Sequence, residues 1–157
     1  MKVRLVVVGK VKDPRLREAI AEYESRAARY WKFDVVEVDA GDGGRRTPAE
    51  VMSAEEERIL ARVSASMEVA ALTRSGDPLD SVGFAGYLET LALHGSQGVA
   101  FALGGAFGLG PGVMARARRR ISLSALTFPH ELARLLFAEQ LYRAGTILRG
   151  EPYHKGR

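Results

Sequence analysis

At 157 residues with no cysteine, the chain is long enough to bury a core but cannot form a disulfide, a thiolate metal site or a cysteine nucleophile. Its hydrophobic fraction of 46% and charged fraction of 27% suit a folded protein rather than a disordered one, and no apolar run nears the roughly 18 residues of a membrane span. A formal charge of +4 leans weakly towards polyanionic partners.

The opening Met1-Lys2-Val3-Arg4-Leu5-Val6-Val7-Val8-Gly9 has the charged-then-apolar order of a signal peptide. The apolar part is too short, and no small-residue cleavage site follows. The expectation is a cytosolic protein with no membrane partner, forming one domain over residues 1–157. Residues 2–8 read as a buried strand. Asp13-Pro14 then caps a helix, the aspartate supplying an acceptor and the proline needing no N–H there. Leu16, Ile20, Tyr23, Ala27 and Tyr30 recur at helical spacing and predict one buried stripe.

Residues 33–39 alternate as a second strand. The loop at 41–46 is glycine-rich and basic, and Thr47-Pro48-Ala49-Glu50 is a capping box that opens a helix to about residue 63. A third strand is predicted over 67–72, a turn over 74–78 and a helix over 81–94 burying Phe84, Leu88 and Leu91. Residues 98–103 form the fourth strand. After the glycine-rich stretch 104–112 come a short helix to about 119, a fifth strand near 121–123 and a long helix from 131 to about 147. Strands separated by helices imply an α/β fold with a parallel sheet. Ligands in such sheets bind beyond the carboxyl ends of the strands, which points to the loops after Leu72, Leu103 and Leu123.

The glycine-rich loop carries no Gly-Lys-Ser/Thr, so it is not a P-loop, and its spacing does not match a dinucleotide fingerprint. It remains a backbone-lined pocket floor or a tight turn. Ser122-Leu123-Ser124-Ala125-Leu126-Thr127-Phe128-Pro129-His130 is apolar yet rich in hydroxyls, and can wrap a ligand with backbone groups. His130 fits a helix-capping or core role as well as a catalytic one. In the tail, Tyr153 and His154 stand beside basic residues. Aromatic rings stack on unpaired bases, and imidazole moves protons near neutral pH. A fraying terminus is the other reading. Two basic clusters, Arg116 with Arg118, Arg119 and Arg120, and Arg143 with Arg149, Lys155 and Arg157, are either solvated faces or phosphate contacts.

Together these segments resemble the ribosomal large-subunit pseudouridine N3-methyltransferase family of the SPOUT class, over essentially the whole chain. The likeness rests on the start at Lys2–Val8 with Gly9, on Leu103-Gly104-Gly105, on the Ser-Leu-Ser-Ala-Leu-Thr block with Pro129-His130, on Leu141-Tyr142-Arg143-Ala144, and on Pro152-Tyr153-His154-Lys155. It implies an α/β fold with a C-terminal deep trefoil knot, and a homodimer. It also implies a metal-free enzyme that uses S-adenosyl-L-methionine to methylate N3 of a pseudouridine in 23S ribosomal RNA, expected on the assembled ribosome. By position, Leu72, Gly104, Gly105, Leu123, Ser124, Ala125, Leu126, Thr127 and Phe128 are the expected donor contacts. His130, Arg143, Tyr153 and His154 are the expected acceptor and reaction residues. The chain departs from the family at Thr73, where an acid is frequent, at Asp77, where lysine is usual, and at Ala106, where proline is common. Two other functions stay open: a non-catalytic RNA- or ribosome-binding module, and a methyltransferase of the same class acting on another RNA such as tRNA.

Overall fold

The computed structural model describes residues 1–42 and 44–155; Gly43 of the basic loop, and Gly156 and Arg157 of the tail, lie outside them. The strands are β1 (Lys2–Val8), β2 (Lys32–Val38), β3 (Glu68–Pro78), β4 (Gly98–Leu103) and β5 (Arg119–Ser122). They form a five-stranded sheet in the order β2-β1-β4-β3-β5, every neighbouring pair parallel. The central β4 is buried at all its residues, as expected of a strand covered on both faces.

Helices α1 (Pro14–Ala27), α3 (Ser81–Leu93) and α5 (His130–Leu148) cover one face. There Leu5, Phe84, Leu88, Phe101, Phe137 and Leu141 form the larger core, with the Phe101 and Phe137 rings 4.8 Å apart. Helices α2 (Pro48–Leu60) and α4 (Pro111–Arg116) cover the other, packing Ile59 and Val113 on Val6 and Val8. Successive strand residues point to opposite faces, so β1 supplies both cores. The predicted caps form: Asp13 accepts from the Arg15 N–H at 2.8 Å, and Thr47 and Glu50 close their box at 3.2 and 3.3 Å.

Three boundaries differ from expectation. Helix α1 ends at Ala27, although Tyr30 still packs on α5 through the Tyr142 ring, 5.8 Å away. Helix α4 stops at Arg116, because Arg119 and Arg120 pair with Ala70 and Ala71 as strand β5. The predicted turn at 74–78 lies within β3. Leu72 and Asp77 both face Ile121, so the residues between them loop out of the ladder and the chain rejoins it at the same partner. Turn chemistry in Ser75-Gly76-Asp77-Pro78 was legible, but not the resumed pairing. A Cβ at Gly76 would come within 2.6 Å of the Ile121 nitrogen.

Arg134 ties α5 to the sheet and to α1. Its side chain is 10% exposed, its Nε donates to Glu24 at 2.8 Å, and its Nη1 lies 3.8 Å from Glu37. Removing one member of a buried ion pair strands the others. Arg134→Ala is expected to cost about 2–3 kcal/mol, less than a fully buried pair because Glu37 keeps water, and to lower the melting temperature by roughly 5–10 °C. A melt shifted by under about 2 °C would show that Arg134 adds nothing.

Candidate active site

The bulge within β3 and the loops after β4 and β5 converge on one cavity of about 840 Å³. From β3 come Leu72, Thr73, Arg74 and Ser75, and from the glycine-rich loop Leu103, Gly104, Gly105 and Leu109. The segment after β5 adds Leu123, Ser124, Leu126, Thr127 and Phe128, and α5 begins at its wall with His130. Every expected donor contact except Ala125, which is exposed, therefore lines one space. The cavity sits where a parallel sheet is expected to hold its ligand.

Local chemistry explains how these loops keep their shape. Ser122 Oγ donates to the Ser124 carbonyl at 2.9 Å, and Ser124 Oγ accepts from the Leu126 N–H at 3.0 Å. These hydroxyls hold a turn, which leaves backbone groups and apolar side chains to face a ligand. Arg74 donates to Thr127 Oγ1 at 3.0 Å and so links the β3 loop to this segment. In the glycine-rich loop, Gly105 and Gly108 form a bridge, with Gly108 in the left-handed region at φ 80°. A Cβ at Gly104 would lie 2.6 Å from the Gly108 carbonyl carbon, so the loop folds back directly on bare backbone. Helix α2 supports it from behind. Glu56 accepts from the Gly112 and Val113 N–H groups and so caps α4. Glu55, 3% exposed, accepts from the Gly41 N–H at 3.1 Å.

His130 stands at the first residue of α5, against the turn that ends β1. Gly9 has φ 84°, and its missing Cβ would have been 3.4 Å from His130 Nε2. The ring thus lies at the cavity wall and not in the core.

Tyr153, His154 and Arg143 gather elsewhere. Glu139, 17% exposed, pairs with Arg143 one turn later and accepts from the Tyr153 hydroxyl at 2.9 Å. The Arg143 guanidinium lies 4.7 Å over the Tyr153 ring, which packs 4.6 Å from the Tyr142 ring. Burial, then hydrogen bonds with Tyr23 and Glu139, push the Tyr153 phenol far above its usual range, so it is a neutral donor. Arg143 Nη1 lies 3.3 Å from His154 Nδ1. A guanidinium only donates, so Nδ1 is the acceptor of this contact; among the described residues Nε2 is buried with no partner. None of these three residues lines the cavity. Glu139 and Arg143 lie nine and thirteen residues beyond His130 on the same helix, roughly 14 and 20 Å along its axis.

The arginines of the first basic cluster serve largely the fold. Arg116 donates to the Met67 carbonyl at 3.0 Å, Arg119 lies 5.2 Å over the Tyr87 ring and 3.9 Å from Asp77, and Arg120 reaches the Met114 carbonyl. Of the second cluster, Arg149 covers the Tyr30 ring at 4.5 Å. Sequence reasoning passed over Glu55, Glu56, Arg74 and Glu139. Only the Glu139–Arg143 spacing carried a signal, as an ordinary i,i+4 pair. Among the described residues, no group of three or more His, Cys, Asp or Glu could hold a metal ion, and no helix is long and apolar enough to cross a membrane.

The architecture and cavity define an α/β ligand-binding protein whose site lies at the carboxyl edge of its sheet. The chain belongs to the SPOUT methyltransferase family: the family model described as "Predicted SPOUT methyltransferase" matches residues 1–154. It is 48% identical over 155 residues to the "Ribosomal RNA large subunit methyltransferase H" of Gemmatimonas aurantiaca, covering 99% of this chain and 100% of that one. A protein of the same name from Carboxydothermus hydrogenoformans is 42% identical over 159 residues, again across 99% of this chain and all of the other. A crystal structure of a probable methyltransferase from Bordetella pertussis shares the fold, with TM-score 0.51, 18% identity, and coverage of 91% of this chain and 95% of that one. The five-stranded parallel sheet is that of the SPOUT α/β fold, consistent with a trefoil-knotted family.

Proposed function

We propose that this protein transfers a methyl group from S-adenosyl-L-methionine to N3 of a pseudouridine in 23S ribosomal RNA, working in the cytosol as a homodimer on the assembled ribosome. The observation that carries the reading is the convergence of the loops after Leu72, Leu103 and Leu123 on one backbone-lined cavity. The relatives aligned along their full length, both ribosomal RNA large subunit methyltransferases by name, support the choice of RNA.

The cavity suits such a donor. It is mostly apolar, with backbone groups at Gly104, Gly105 and residues 123–128 able to read an adenine edge and a ribose, and Leu72 and Leu103 to flank a ring. The donor supplies a methyl on a sulfonium sulfur; transfer breaks the S–C bond, forms the bond to N3 and leaves a neutral thioether. The protein must align N3 with that methyl, exclude water and remove the imide proton.

Tyr153, neutral and held by Glu139, positions the acceptor base. Arg143 faces the imide anion as it develops, a preorganised charge of the kind that most lowers such barriers. When Arg143 turns to that anion it releases His154 Nδ1, and the imidazole takes up the proton as a relay. His130, at the cavity wall, orients the nucleotide beside the donor. That Arg143, Tyr153 and His154 gather further along α5 and none of them lines their own cavity supports a composite site, in which the tail of one protomer serves the cavity of its partner. Transfer of labelled methyl to large-subunit RNA, with the nucleoside identified by mass spectrometry, tests the reaction.

A further inference from the structure

Glu55 has no place in that mechanism, yet it is a carboxylate 3% exposed, directly behind the cavity floor. One oxygen accepts the Gly41 N–H at 3.1 Å, while Oε2 is buried with no partner among the described residues. Among the described residues, no cation forms an ion pair with it. A Cβ at Gly105 would stand 2.9 and 3.0 Å from its two oxygens. Gly105 itself lines the cavity, so a single glycine separates this carboxylate from the ligand space.

An uncompensated buried carboxylate is costly, and natural cores rarely keep one without a partner. The other α2 carboxylate at this loop, Glu56, is satisfied by the backbone of α4. The missing partner of Glu55 is therefore sought on the far side of Gly105. There a positive ligand would meet a fixed negative charge across a water-poor wall, where screening is weak.

We propose that Glu55 is the counter-charge for the cationic part of the methyl donor, selecting a positively charged ligand over an uncharged one of the same shape. This rests on the cavity being the donor site. The donor has two cationic centres, its sulfonium and its α-ammonium, and both offer the chemistry that Glu55 recognises. Glycine at 105 lets the charge act at close range.

Calorimetric titration of wild-type protein and Glu55→Gln tests this with four ligands. S-adenosylmethionine carries both charges, sinefungin replaces the methylsulfonium by an ammonium-bearing carbon, S-adenosylhomocysteine keeps only the α-ammonium, and methylthioadenosine has neither. Glutamine retains an acceptor for the Gly41 N–H but not the charge. The expected result is a loss on the order of tenfold for S-adenosylmethionine and sinefungin, with methylthioadenosine unchanged. If S-adenosylhomocysteine falls equally, the α-ammonium is the partner; if it is spared, the sulfonium is. Equal weakening of all four, including methylthioadenosine, would overturn the proposal and leave Glu55 a support for the loop. So would no weakening of any. If Glu55→Gln fails to fold, Glu55→Asp, which keeps the charge but draws it back from Gly105, should lower the preference for the charged ligands, and an unchanged preference refutes it. Wild-type protein that binds none of the four would instead remove the donor reading itself.

Discussion

Gly105→Val is expected to weaken S-adenosylmethionine binding by roughly 10²-fold while the protein stays folded. The backbone at Gly105 is open to any residue, so the effect is one of space. Its first side-chain carbon would stand 2.9 Å from Glu55 Oε1 and 3.1 Å from Val8 Cγ1. Val8 is a buried residue of β1 and holds its place, and a shift of the Glu55 carboxylate would give up its bond to the Gly41 N–H. The floor must move instead, into the space that the donor occupies. Gly86→Val on α3, where an added Cβ meets nothing within 4 Å, is the matched control and should leave binding unchanged. Equal binding by Gly105→Val and wild type, measured by titration, would place the donor elsewhere.

His154→Ala is expected to lower turnover by roughly 10²–10⁴-fold, the range of a general acid–base residue, with little change in donor affinity because the cavity is lined by other residues. Tyr153→Ala should act chiefly on RNA binding, since a phenol held neutral by burial cannot serve as the base. Intact turnover in His154→Ala beside abolished turnover in Tyr153→Ala would assign the relay wrongly. The same variants test the composite site. Mixed dimers of Gly105→Val and His154→Ala protomers should recover activity that neither homodimer has, because one interface then unites an intact cavity with an intact tail. No recovery would confine each site to one chain.

Local chemistry made much of this structure legible in advance. Asp13-Pro14 and Thr47-Pro48 marked their helices because capping is a short-range interaction. The alternation of strands and helices implied a parallel sheet, and the carboxyl-edge rule then selected the loops that do meet in space. What escaped depended on partners distant in sequence. The return of Asp77 to the Ile121 position reflects a neighbouring strand some forty residues on, and nothing in Ser75-Gly76-Asp77-Pro78 announces it. Glu55 and Glu56 carried no signal in the sequence beyond their place on a helix. One of them turns out to be buried behind Gly105 and the other to cap α4. Likewise the arginines from 116 to 120 suggested a phosphate track, whereas most of them bind carbonyls, an aspartate or an aromatic ring of their own fold.

The most direct test of the central claim is to incubate the purified protein with methyl-labelled S-adenosylmethionine and either assembled ribosomes or naked ribosomal RNA from a strain lacking the gene. Label in an N3-methylpseudouridine of the large-subunit RNA, obtained with assembled ribosomes and not with naked RNA, is the predicted result. Label in another nucleoside or another RNA, or none in any RNA despite saturable donor binding, would contradict it.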